Sequence, residues 1–268
     1  MSRNFTFGLL CDESPLDKIS KEWDYLEVPN SLMIKPFECN AVWQEEKNKL
    51  VASGFKCRTT SHYMQFFGMK CTGPNYDREQ HRMWAQRTFP RMKEIGIEVI
   101  GVFGNKFFVP EGYSKTKAMD DAISACNIMA DYADEYGMLI ALEPMADLTT
   151  LWPRYLDGIK FVKEVNRQSV QIMADLNYFY KLEQPLEDIY TNPEWMCNVH
   201  IAGSGGAQPN VGTYEPNFIR LFKILEDIGY KRGVTAACPW VSTKGGDLDW
   251  AYETDVTIKY LKNLRDKK

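Results

Sequence analysis

Several features that would place a protein quickly are missing from this 268-residue sequence. There is no basic excess: 32 Lys and Arg stand against 36 Asp and Glu, a net charge of −4. Without surplus positive charge to neutralise phosphates, the balance speaks against a nucleic-acid or anionic-membrane partner. No apolar run approaches the roughly 20 residues needed to span a bilayer. The opening stretch, MSRNFTFGLLCDESPLDK, lacks a long apolar core and turns acidic at once, so it reads as a first strand rather than a signal peptide. The seven cysteines (Cys11, Cys39, Cys57, Cys71, Cys126, Cys197, Cys238) are odd in number and contain no C-x-x-C pair. That pattern suits reduced thiols in a cytoplasm, most of them acting as small core residues. No linker or low-complexity tract divides the chain.

What is present is a regular alternation. Short apolar or β-branched runs predict strands at Thr6–Leu10, Tyr25–Val28, Lys56–Thr59, Glu98–Phe103, Leu139–Leu142, Gln171–Ala174, Asn198–Ile201 and Val234–Ala237. Most are short and continuously apolar, as buried parallel strands are. Helical spacing fills the intervals. Asn40 precedes Ala41–Ala52, with Gly54 as the stop. Ser114 opens a segment to Tyr136, in which Ala118, Ala122, Cys126, Met129 and Ala133 recur at three- and four-residue steps before Gly137. Glu215–Ile228 carries Phe218, Leu221, Phe222 and Leu225 on one face. Tyr76–Ile95 is helical in period, with Pro90 expected to kink or restart it. Eight strands alternating with helices, near the length usual for the fold, predict a single-domain (β/α)8 barrel. An open doubly wound sheet is the alternative, but no G-x-G-x-x-G follows the first strand.

In such barrels the chemistry sits where strands end. Glu143 follows the fifth strand, Asp175 follows the sixth, and His200 lies at the end of the seventh. Each alone also fits a plain role, a helix cap for the acids or a satisfied core residue for the imidazole. Together, at one depth on consecutive strands, two carboxylates and one imidazole form a ligand set for a divalent metal, with Mn2+ the expected ion and Mg2+, Co2+ or Zn2+ the alternatives. The metal would polarise substrate oxygens while a carboxylate moves a proton from carbon.

Three stretches, GMLIALEP at 137–144, QIMADLNYFY at 171–180 and NVHIAG at 198–203, resemble the xylose isomerase-like TIM barrels, the sugar phosphate isomerase/epimerase superfamily. The resemblance implies a metal on Glu143, Asp175 and His200 that binds vicinal oxygens of a carbohydrate. It also implies a further Glu at the end of strand eight, and the sequence departs from that pattern, with Ala237 or Cys238 in its place. Tyr178 stands where the family's Asp-x-x-His motif has its His, and an Arg usual after the strand-seven His is replaced by Gly206. Cys238 is either a fourth ligand, which would favour Zn2+, or a core thiol.

Around this centre, His62 is a candidate acid/base group or a hydrogen-bonded loop residue. Lys106 would steady an enolate or sit solvated in its loop. Glu27 would contact substrate or anchor its loop. Trp240, Tyr178, Tyr180 and Phe107 would wall the mouth or simply pack. The glycine-rich stretch 203–212 is a possible phosphate cradle or a loop without basic residues, and His81 is expected at the surface. The expected activity is a metal-dependent isomerase or epimerase acting next to a carbonyl of a small sugar or cyclitol, with Glu143 or His62 carrying the proton. A lyase or dehydratase resembling the C-glycoside deglycosidases, or a degenerate binding barrel, is the alternative. Association into a homo-oligomer or with a partner subunit is expected by resemblance alone.

Overall fold

The computed structural model describes residues 4–12, 14–61, 63 and 68–267. Its strands are β1 (Thr6–Leu10), β2 (Tyr25–Pro29), β3 (Cys57–Ser61), β4 (Val99–Phe103), β5 (Leu139–Glu143), β6 (Val170–Asp175), β7 (Met196–Ile201) and β8 (Gly233–Ala236). They pair in parallel, each with its sequence neighbour, and β1 with β8 closes the barrel. The helices are α1 (Asn40–Ala52), α2 (Arg78–Glu94), α3 (Lys115–Tyr136), α4 (Tyr155–Val165), α5 (Leu176–Lys181), α6 (Glu215–Asp227) and α7 (Trp250–Asp266). The doubly wound alternative is thereby set aside.

Outward-facing residues such as Leu26, Val28, Ile140, Ile172, Val199 and Val234 join the inner faces of the helices in one large core. Alternate residues face the barrel axis, and parallel pairing keeps paired side chains on one face. Asp175 is paired with His200, and His200 with Thr235. On the other side of the barrel Leu10 is paired with Glu27, and Glu27 with Thr59. Val99, Ala141, Met173 and Cys197 form a separate small apolar cluster. Ala141 and Met173 lie two residues before Glu143 and Asp175, and so one layer below them.

Three expectations need correction. Pro90 does not restart its helix: α2 runs through it to Glu94, capped at the start by the Asp77 carboxylate on the amides of Glu79 and Gln80. One missing donor costs less there than unpacking the buried face of Trp84, Phe89 and Met92. His81 is not at the surface; it is buried on α2, with Nε2 2.9 Å from the Lys70 carbonyl and its ring against Tyr76. Burial also lowers its pKa. Asn40 is the first residue of α1 rather than preceding it, and its Oδ1 accepts from Arg91.

Candidate metal centre and active site

Glu143 ends β5, Asp175 ends β6 and His200 lies near the end of β7, so all three reach the same barrel mouth. One ligand atom from each lies within 4.8 Å of the others, and all three residues are buried. His200 Nδ1 is 3.3 Å from Glu143 Oε1 and 3.9 Å from Asp175 Oδ2. Asp175 also caps a helix, since its Oδ1 accepts from the Asn177 amide at 2.8 Å. The cap and the ligand role are therefore compatible, one oxygen serving each.

The electrostatics fit a cation. Burial, and then the neighbouring Glu143 carboxylate, hold the Asp175 pKa well above the usual carboxylate range. For His200 burial works against the charged ring, yet the carboxylates of Glu27 and Glu143 outweigh it and raise its pKa well above the ordinary imidazole value. Protons thus hold together a buried cluster of acids that a divalent ion would otherwise neutralise. Glu143 Oε2 is buried and has no hydrogen-bond partner among the described residues. A buried oxygen without a donor is costly, and a metal or substrate proton would satisfy it. The donor set, two carboxylates and an imidazole, fits a divalent cation.

Above the cluster is a cavity of about 320 Å³ lined by Glu143, Asp175, His200, Tyr178, Trp240 and Trp250, among others. Burial, and then the Glu143 and Asp175 carboxylates, raise the Tyr178 pKa, so its phenol stays a donor at neutral pH. Tyr178 and Trp240 line this cavity. Phe107 does not: it is wholly buried with its ring 4.6 Å from that of Trp152. Lys106 ends a short 3-10 turn at Gly104–Lys106, half-buried and outside the cavity lining. Tyr180 packs on Tyr214. His62 lies outside the described residues.

Cys238 lines the cavity, but its thiol falls outside the ligand group. Burial, and then Asp175 and Asp12, raise its pKa in the metal-free fold. Residues not anticipated include Asp12 and Ser14 after β1, Met145 after β5, and Trp250 at the start of α7. Asp12 could have been found by reading the end of strand one as strands five to eight were read. Nothing local in the sequence marks Trp250.

A family model described as the xylose isomerase-like TIM barrel matches residues 21–264. The chain belongs to this family. Solved structures of similar fold include a 3-keto-D-glucoside 4-epimerase from E. coli, 18% identical, TM-score 0.75, covering 98% of this chain and 100% of that one. A D-psicose 3-epimerase from Clostridium cellulolyticum H10, solved with D-tagatose, is 18% identical with TM-score 0.79 and the same coverage of 98% and 100%. The IOLI protein, solved with a zinc atom, is 13% identical with TM-score 0.66, covering 97% of this chain and 96% of that one. No curated protein matches the sequence. At these identities the structural likeness is one of fold.

Proposed function

We propose that the protein is a divalent-metal-dependent isomerase or epimerase that removes a proton next to the carbonyl of an uncharged sugar or cyclitol. The observation that carries this reading is the convergence of Glu143, Asp175 and His200 within 4.8 Å at the floor of the cavity. The named relatives, epimerases of D-psicose and of a 3-keto-D-glucoside, support the substrate class. These three residues would hold the metal, Mn2+ by expectation, and the ion when bound would polarise the substrate carbonyl.

Glu143 is the carboxylate placed to take the proton, through the oxygen Oε2 that no donor occupies. Tyr178, neutral and facing both carboxylates, donates to the oxygen that gains electron density as the C–H bond breaks. Trp240 and Trp250, their ring centroids 5.9 Å apart, supply an apolar wall for the C–H face of a ring and exclude water. The captured proton returns to a neighbouring carbon in isomerisation, whereas epimerisation requires the same carbon to take a proton on its opposite face from a donor other than Glu143.

One observation favours a second reading. The cavity has Ala237 and Cys238 where β8 ends, so no carboxylate stands there to serve the opposite face of the substrate. A one-faced elimination, as in a lyase or dehydratase, needs no such group. The seven free thiols fit a reducing compartment, and we assign the cytoplasm.

Metal analysis comes first, on wild type and on Glu143→Gln and His200→Ala. Neutral ketoses, inososes and 3-oxo-glycosides are then incubated with metal-loaded protein in D2O and followed by proton NMR. Loss of one substrate C–H signal, dependent on Glu143, is the expected result, and the product separates isomerase from lyase. A wild type that takes up no metal would make the chain a binding barrel instead.

A further inference from the structure

Glu27 is the most deeply buried acid in the barrel, fully enclosed on β2 and outside the ligand group. Its surroundings are built from three other strands. Oε2 accepts from Thr59 Oγ1 on β3 at 2.7 Å and from Thr235 Oγ1 on β8 at 3.0 Å. Oε1 lies 2.9 Å from Nε2 of His200 on β7. The Thr235 hydroxyl is also 2.8 Å from the Tyr25 hydroxyl. Because a carboxylate only accepts, the single Thr235 proton goes to Glu27 and Tyr25 must donate to Thr235. The chain of donors runs one way, from Tyr25 through Thr235 to Glu27, and leaves Oε1 turned to the imidazole.

We propose that Glu27 is a positioning residue for the metal centre. It holds the His200 ring with Nε2 2.9 Å from Oε1 and Nδ1 turned toward Glu143 and Asp175, and it adds a third negative charge beside the ligand residues. The inference rests on the reading of Glu143, Asp175 and His200 as metal ligands. The two nitrogens of one ring face two different partners, and a metal-ligating histidine characteristically gives its other N–H to a carboxylate. Fold stability gives no reason for this carboxylate, since a buried charge pair is commonly replaced by apolar side chains without loss. The added charge also has a local purpose. With Ala237 and Cys238 at the end of β8, the ligand set supplies only two carboxylates, and Glu27 supplies the third from below. Its anchoring hydroxyls, Thr59 and Thr235, are wholly inside the barrel and hold it against moving up to ligate directly.

The test measures metal binding, not turnover. Metal-stripped wild type, Glu27→Gln and Thr235→Val are titrated calorimetrically with Mn2+, and the visible spectrum of the Co2+-loaded forms is recorded. Glu27→Gln keeps the shape and removes the charge; it is expected to weaken metal binding about 10- to 100-fold and to shift the Co2+ bands. Thr235→Val keeps the charge and removes one donor, and should weaken binding about fivefold, the worth of one hydrogen bond. If Glu27→Gln does not fold, Thr235→Val decides by the same two measurements. Wild-type affinity and an unaltered Co2+ spectrum in the folded variants overturn the role of Glu27 while leaving the metal site standing. A wild type that binds neither ion overturns the metal site itself, and the role of Glu27 with it.

Discussion

At the scale of single residues, the cluster is legible through its protons. Asp175 and His200 both have raised pKa values in the metal-free fold, from burial and Glu143 in the first case and from Glu27 and Glu143, against burial, in the second. A raised group stabilises the fold fully below its unfolded pKa, about 4 for Asp and about 6.5 for His. That contribution is lost as pH rises through the folded value. A cation needs the opposite forms, an ionised Asp175 and a neutral Nδ1, so loading expels protons. Metal affinity should therefore rise with pH through the neutral range, and calorimetry in buffers of different ionisation enthalpy should count protons released. An affinity flat with pH would mean that the ion does not compete for these groups. Tyr178→Phe is the complementary variant: removing the donor beside both carboxylates should lower kcat about a hundredfold, with KM changed much less, as steady-state kinetics would show.

Elements explain why some of these residues could be read in the sequence and others could not. Glu143, Asp175 and His200 each close a short apolar run, so the barrel rule puts them at one rim before any contact is known. The strand edges moved by a residue or two, because pairing with the neighbour decides where a strand stops: β5 and β6 extend to include Glu143 and Asp175, and β8 ends at Ala236. His81 was misplaced because its cover, the Lys70 carbonyl, comes from another segment, and the packing of Phe107 on Trp152 is likewise invisible in the local sequence. The pairing of Glu27 with His200 exists only once the barrel closes. Gly104 shows how tightly an element can hold the site. A Cβ there would lie 2.5 Å from the Glu143 carbonyl oxygen and 3.3 Å from Trp152 Nε1. Gly104→Ala should cost about 1–3 kcal/mol of stability by overpacking, and should also weaken metal binding by pushing the end of β5. Denaturant unfolding and metal titration of one variant would test both; full metal affinity with lowered stability would show that β5 absorbs the strain without moving Glu143.

The whole molecule sets what can enter. Among the described residues, every charged side chain lining the cavity except His200 is an acid: Asp12, Glu143 and Asp175. Glu27 adds a further negative charge beneath them. A divalent cation held by Glu143 and Asp175 would offset two of these charges, and the described lining residues include no Lys or Arg for a second anion. One phosphate charge about 5 Å from one carboxylate costs about 3 kcal/mol at an effective dielectric of 20, roughly a hundredfold in affinity. The apolar face of Trp240 and Trp250 contributes no donor to offset it beyond an indole N–H, which binds phosphate weakly compared with Arg. Neutral sugars should therefore be turned over with kcat/KM about a hundredfold above their phosphorylated counterparts, and the gap should narrow as salt screens the mouth. Asp12→Asn should narrow it further without changing kcat on the neutral sugar. A preference for the phosphorylated partner, or a gap indifferent to salt and to Asp12, would show that the acidic mouth does not select the substrate.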